Sequence, residues 1–262
     1  MSYSFPPPDD HNERTDPEQP RLVALTVPRP WAVYTLLGLI VAMYLLTTLL
    51  NLLLGTGGLF QPHLLVLLLL GAKDNSLIDG GQYWRLLTAM FLHGNLIHIF
   101  FNSFALYALG PECERIYGTR RFLVLYFLAG LGGSVASYLM SPNPSVGASG
   151  AIFGLIGGLG MFFYLSRAAL GEFGQAQVQS MGAIAGINLI IGFSAPGIID
   201  NWGHMGGLVV GALVGAALAP RISVDQRFFP PMLSRTYPPW GTTATVAIGG
   251  TLVLLALLFS GA

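Results

Sequence analysis

The sequence predicts an all-α polytopic membrane protein, a bundle of seven transmembrane helices. Three observations carry that expectation. The 262-residue chain is 53% hydrophobic and only 9% charged, with a mean hydropathy of +0.64, a balance foreign to soluble domains. Uncharged stretches recur at about the length a helix needs to cross the hydrocarbon core. No alternating strand pattern of about ten residues accompanies them, and backbone in lipid must bond to itself, so helices are the remaining choice.

The expected spans are 31–54, 88–109, 122–140, 148–165, 178–199, 202–218 and 242–259. The apolar run Leu64–Leu70 is too short for an eighth, sits between His63 and Gly71, and is expected in a long outer loop partly seated in the membrane. Residues 1–30 hold five acids and seven prolines without a basic start and apolar core. Such a segment buries too little apolar surface to order itself, and it is expected to be a disordered cytoplasmic tail rather than a signal peptide. The chain thus divides into a tail (1–30), a six-helix core (31–219), a cytoplasmic linker (220–241) and an additional C-terminal transmembrane helix (242–262).

Basic residues set the expected orientation. With the N-terminus in the cytoplasm, ten of the twelve Lys and Arg fall in cytoplasmic segments: Arg14, Arg21, Arg29, Arg115, Arg120, Arg121, Arg167, Arg221, Arg227 and Arg235. Only Lys73 and Arg85 lie in outer loops, and the C-terminus ends outside. An eighth span would reverse every later loop. The formal net charge of zero argues against nucleic acid as a partner. Cys113 is the only cysteine and no His-Glu-x-x-His helix exists, so no disulfide, no metal and no cofactor are expected.

Polar residues inside spans mark function, because hydrocarbon penalises them heavily. Ser149 sits in Gly147-Ala148-Ser149-Gly150 at the head of the fourth span, and His204 opens the sixth, which continues through Gly207, Gly211 and Gly215. Both begin at the outer face, at similar depth. The second span enters from the same side, and His98 and Asn102, four residues apart, share one of its faces. Singly, each has an ordinary explanation: a cap, a satisfied histidine, an interhelical amide, close packing of small residues. What packing leaves unexplained is a serine, two histidines and an amide at one end of three helices.

These residues carry a family resemblance. Gly81-Gln82-Tyr83-Trp84-Arg85-Leu86-Leu87-Thr88, then Phe91-Leu92-His93-Gly94-Asn95-Leu96-Ile97-His98 and Asn102, then Gly147-Ala148-Ser149-Gly150 and His204…Gly207…Gly211 resemble the rhomboid intramembrane serine proteases. The landmarks run over about residues 31 to 218, and the helix at 242–259 resembles that of the subgroup with one extra C-terminal helix. Gly203 stands where the family often has alanine, and Phe153 where some members have tyrosine. The resemblance implies a rhomboid-like bundle that hydrolyses peptide bonds in or near transmembrane segments of membrane proteins.

The chemistry agrees. A serine hydroxyl needs a base, and neutral imidazole suits that work, so Ser149 and His204 are expected to form a dyad. Asp200 is expected to be a solvated loop acid. Phe153, one turn below Ser149, either packs on the imidazole or merely fills the core. The Ser149 N–H at a helix N-terminus is one oxyanion donor. His98 and Asn102 are candidates for the others, as the resemblance also implies. His93, five residues before His98, is expected to point elsewhere and hold the outer loop. Trp84 and Arg85 are expected at the membrane interface. The 193–202 connection, with Pro196 and Gly197, is the expected movable cap. Substrates are expected to be transmembrane proteins and the setting a bacterial inner membrane. A transporter or a catalytically idle membrane-protein binder on the same fold are the alternatives.

Overall fold

The computed structural model describes residues 29–56, 58, 60–195, 197, 199–225 and 232–260. Residues 1–28 of the expected tail lie outside the described residues, as does Pro196. The expected all-α membrane fold is what the structure shows.

Helix α1 (Trp31–Leu53) starts behind Pro30. Its first backbone N–H groups, at Ala32 and Val33, donate to the buried Glu114 carboxylate at 3.2 and 3.0 Å. A carboxylate at a helix N-terminus satisfies orphan donors and complements the dipole. Short helices α2 (Leu64–Leu70), α3 (Asn75–Asp79) and α4 (Arg85–Thr88) follow, and a 3-10 turn (Ala89–Phe91) extends α4. The run Leu64–Leu70 is therefore a helix of seven residues, capped by His63 and ended by Gly71 at φ 105°.

Helix α5 (Leu96–Tyr117) is bent by 91° from the Arg85–Phe91 segment. The expected second span, 88–109, is thus displaced toward the C-terminus. Asn95 decides the boundary, since its side chain accepts from His98 N at 2.8 Å and caps the new helix. Helix α6 (Thr119–Met140) begins one residue after α5, across Gly118 at φ 77°.

Helix α7 (Ser149–Phe193) unites the expected fourth and fifth spans in 45 residues, interrupted where Gly171 leaves the helical region at φ 57°, ψ −138°. Asp200 caps α8 (Asn201–Leu218) by accepting from Gly203 N at 2.9 Å. The expected linker contains an antiparallel hairpin, β1 (Arg221–Asp225) with β2 (Met232–Thr236), Arg221 opposite Thr236 and Asp225 opposite Met232. Period-two alternation there was too short to predict it. Helix α9 (Gly241–Leu258) follows. Among the described residues, five helices are long and apolar enough to cross a membrane, or six with the bent pair counted as one span.

The core lies where α6, the first half of α7, and α8 meet. Close approach there depends on facing glycines. A Cβ on Gly207 would strike the Gly150 backbone, one on Gly211 the Gly154 backbone, and one on Gly215 would come within 2.6 Å of Gly158 Cα. Small residues let helices touch backbone to backbone where lipid offers no hydrophobic drive. The Gly207–Gly211–Gly215 spacing was visible in the sequence. Its partner row, Gly150–Gly154–Gly158, has the same spacing and went unread.

Candidate active site

Ser149 is the first residue of α7, His204 the fourth of α8 and His98 the third of α5. Three glycines from three helices bring the first two starts together. A Cβ on Gly133 of α6 would lie 2.6 Å from Gly203 O and 3.2 Å from Gly150 Cα, and one on Gly150 would lie 3.3 Å from Gly203 O. The neighbour of Ser149 therefore packs on the neighbour of His204. Gly203 has a second duty. Alanine there would put its methyl 2.9 Å from Asp200 Oδ2, against the carboxylate that caps the helix.

The third start is joined through Gly147. This residue adopts φ 126°, and a Cβ on it would come within 2.6 Å of His98 Nε2 and 3.6 Å of Asn102 Nδ2. Both side chains thus face the turn that leads into Ser149. Gly147 is held in turn by donating to Ala89 O at 2.9 Å. No side chain fits there, and the left-handed backbone favours glycine independently.

One cavity of about 790 Å³ is lined by Ser149, His204, His98, Asn102 and Phe153. Its apolar wall includes Phe101 and Ile97 of α5 and Trp202 of α8; the segment between Met140 and Ser149 forms another side. Phe153 is buried with its ring parallel to the His204 imidazole, centroids 4.3 Å apart and planes at 14°. That stack restricts the imidazole to one plane.

Several expectations require correction. His93 does not point elsewhere: it is fully buried, with its ring edge-on to His98 at 5.0 Å. Helical spacing does not apply to the pair, because His93 precedes the Asn95 cap. Arg85 does not lie on the molecular surface. It is 5% exposed, donating from Nη1 to Leu68 O and Ala72 O at 2.7 and 3.0 Å and from Nε to Gln82 Oε1 at 2.8 Å. The carbonyl end of α2 solvates its charge in place of water. Trp84 is half exposed beneath that guanidinium, 4.8 Å from it. Asp200, half-buried at the end of the loop, also caps a helix.

Three residues carry site geometry that the sequence reading missed. Asn95 sets the start of α5. Asn201, buried, donates to Leu189 O at 3.4 Å and ties the two ends of the 193–202 connection together. Lys73 is 1% exposed and reaches the loop before Ser149. Burial pushes its ammonium down to about 8 against the opposing pull of Asp200 and Asp74. Among the described residues, no group of three or more His, Cys, Asp or Glu is placed to hold a metal ion.

Residues 80–221 match the model of the rhomboid domain family. The chain belongs to the rhomboid family. It is 47% identical over 148 residues to the rhomboid protease GluP of Bacillus subtilis, covering 56% of this chain and 28% of that protein. It is 33% identical over 212 residues to RHOMBOID-like protein 4 of Arabidopsis thaliana, 77% of this chain and 53% of the relative. With rhomboid-like protease 3 of Toxoplasma gondii the identity is 35% over 153 residues, 58% of each chain. This rhomboid chain thus spans between about a quarter and three fifths of these curated relatives. It is an integral, multi-pass membrane protein.

Proposed function

We propose that this rhomboid chain is an intramembrane serine protease that hydrolyses peptide bonds in or near transmembrane segments of membrane proteins. The observation that supports the reading best is the common cavity of Ser149, His204, His98 and Asn102. Membership of the family and likeness to a relative named a protease support it further.

In this mechanism the imidazole of His204 takes the proton of the Ser149 hydroxyl as Oγ attacks the scissile carbonyl. The tetrahedral oxyanion is held by the Ser149 N–H, with the α7 dipole behind it, and by the side chains of His98 and Asn102. Fixed donors in an apolar surround are worth more than in water, since nothing reorganises when charge develops. His204 then protonates the leaving amine, and water hydrolyses the acyl-enzyme by the same base. Two residues do this without a buried acid, and Phe153 supplies by stacking the orientation that a carboxylate supplies in a triad.

The break at Gly171 makes α7 two spans, which brings the bundle to seven. The N-terminus is cytoplasmic and the C-terminus outside, following the distribution of Lys and Arg. The 193–202 connection is the cap that admits a substrate helix, unwound locally around the scissile bond.

A fluorophosphonate probe tests the reading. It labels the wild-type chain and not Ser149→Ala; absence of labelling on folded wild type overturns the protease assignment and favours an idle binder.

A further inference from the structure

Lys73 lies between α2 and α3, far from the proposed dyad in sequence, yet its side chain is 1% exposed. Burying an ammonium is costly unless its donors are satisfied. Here Nζ donates to Ser141 O at 2.7 Å and Asn143 O at 3.0 Å. The main chain of the same residue pairs with Ser145 in both directions, Lys73 N to Ser145 O at 2.9 Å and Ser145 N to Lys73 O at 3.0 Å. One residue thus grips three positions of a five-residue stretch. Asn75 adds a further hold, donating from Nδ2 to Tyr138 O at 3.0 Å and Ser141 O at 3.3 Å.

That stretch leads directly into the nucleophile turn. Ser141, Asn143, Ser145 and Val146 line the large cavity, and two residues after Ser145 comes Gly147, which packs against His98 two positions before Ser149. Lys73 and Ser149 also border the same small cavity, of about 20 Å³, together with Asp200 and Ser145. A segment made of Ser141-Pro142-Asn143-Pro144-Ser145 has few backbone donors of its own, because two of its residues lack an N–H. It needs an outside clamp, and Lys73 is built as one.

We infer that Lys73 is a positioning residue for the proposed nucleophile: its buried ammonium and main chain hold the 141–147 segment, which walls the substrate cavity and aims Ser149. This rests on the hydrolytic reading of Ser149. Lys73 touches neither substrate nor reacting atoms, and it acts through the carbonyls of Ser141 and Asn143. Misplacement of a nucleophile by about an ångström costs on the order of 10²-fold, so loss of the clamp reads out in turnover more than in affinity.

The experiment uses the full chain in liposomes, as wild type, Lys73→Met, Lys73→Arg and Asn75→Ala. Three quantities are measured: the rate of fluorophosphonate labelling at Ser149, kcat and KM on a transmembrane peptide, and amide hydrogen exchange over residues 141–147. For Lys73→Met we expect a melting midpoint near wild type, labelling and kcat down by roughly 10- to 100-fold, KM within about twofold, and faster exchange of the Ser145 and Gly147 amides. Lys73→Arg restores part of kcat, because a guanidinium also reaches two carbonyls. Asn75→Ala shifts the same quantities in the same direction by a smaller factor, and it decides the matter if Lys73→Met does not fold. Wild-type labelling, kcat and exchange in a folded Lys73→Met, or in Asn75→Ala when the former is lost, overturn the inference and leave the protease reading intact. Loss of labelling in both Lys73→Met and Lys73→Arg as complete as in Ser149→Ala also overturns it, because a proton-accepting role would then replace the clamp. A wild type that takes no probe overturns the protease reading, whereas the exchange measurement still separates a clamping Lys73 from an idle one.

Discussion

The two sides of the cavity are built on different principles. On the α7–α8 side, helices touch through backbone, and a Cβ on Gly207, Gly211 or Gly215 would come within 2.6 Å of the backbone of Gly150, Gly154 or Gly158. On the α5 side, the helix turns Phe100 and Phe104 outward, each about three fifths exposed, toward the surface a membrane covers. His98 and Asn102 are set by a cap and a turn instead of by a packed seam. The proposed nucleophile and base are thus located by backbone contacts between helices, and the proposed side-chain oxyanion donors by a cap and a glycine turn. The difference teaches that the two halves of the proposed site are positioned in different ways, one by a packed glycine seam and one by local backbone chemistry.

Removing the reacting groups while leaving the seam alone is the severest test. Ser149→Ala and His204→Ala are expected to abolish cleavage of a transmembrane substrate while the bundle stays folded, since neither side chain fills the glycine contact; His204→Ala lowers the melting midpoint only by the loss of its stack on Phe153. Breaking the seam itself comes next. Gly211→Leu drives a large side chain into the Gly154 backbone and is expected to cost about 3 kcal/mol or more, read as a collapse of the thermal midpoint and of activity together. If that variant melts like wild type, the packed-seam side of the comparison is wrong.

On the α5 side, Asn102→Ala is expected to lower kcat by about 10²–10³-fold without unfolding the bundle, as loss of one oxyanion donor does. Full activity would remove Asn102 from the donor set. Phe153→Leu probes what joins the two sides. Its ring stack is worth about 0.5–1.5 kcal/mol, and kcat is expected to fall by roughly 2- to 12-fold with KM unchanged.

The last test is a pH dependence of stability. The ammonium of Lys73 holds its proton less tightly folded than unfolded, about 8 against 10.5. Between those values the unfolded chain binds more protons, so wild-type stability is expected to rise with pH across that window and to be lowest below it. The charges of Asp200 and Asp74 pull that value back up and so narrow the window without reversing the sign. A Lys73→Met chain lacks this rise. Identical melting curves for the two from pH 8 to 10.5 would show that the lysine is not desolvated.

Much of this was legible in the residues because it rests on composition and short-range periodicity. Apolar length placed the helices, and four-residue spacing placed His98 and Asn102 on one face. Boundaries were misjudged where a capping side chain outweighed apolar continuity, as Asn95 does in shifting α5 to Leu96–Tyr117. Arg85 and Lys73 read as outer-loop charges because both bind main-chain carbonyls. Every residue carries such a carbonyl, so the sequence holds no mark of which ones will be used.

From the chain alone followed its class, a membrane-embedded helical bundle, and the short list of polar residues worth watching. Hydrocarbon has one demand of a backbone and one of a side chain, and both are written locally. Only the tertiary structure decided that Gly133, Gly150 and Gly203 converge, that Gly147 faces His98, and that a lysine grips the loop between. Those are contacts between residues 17 to 70 positions apart, fixed by which surfaces fit when the helices pack.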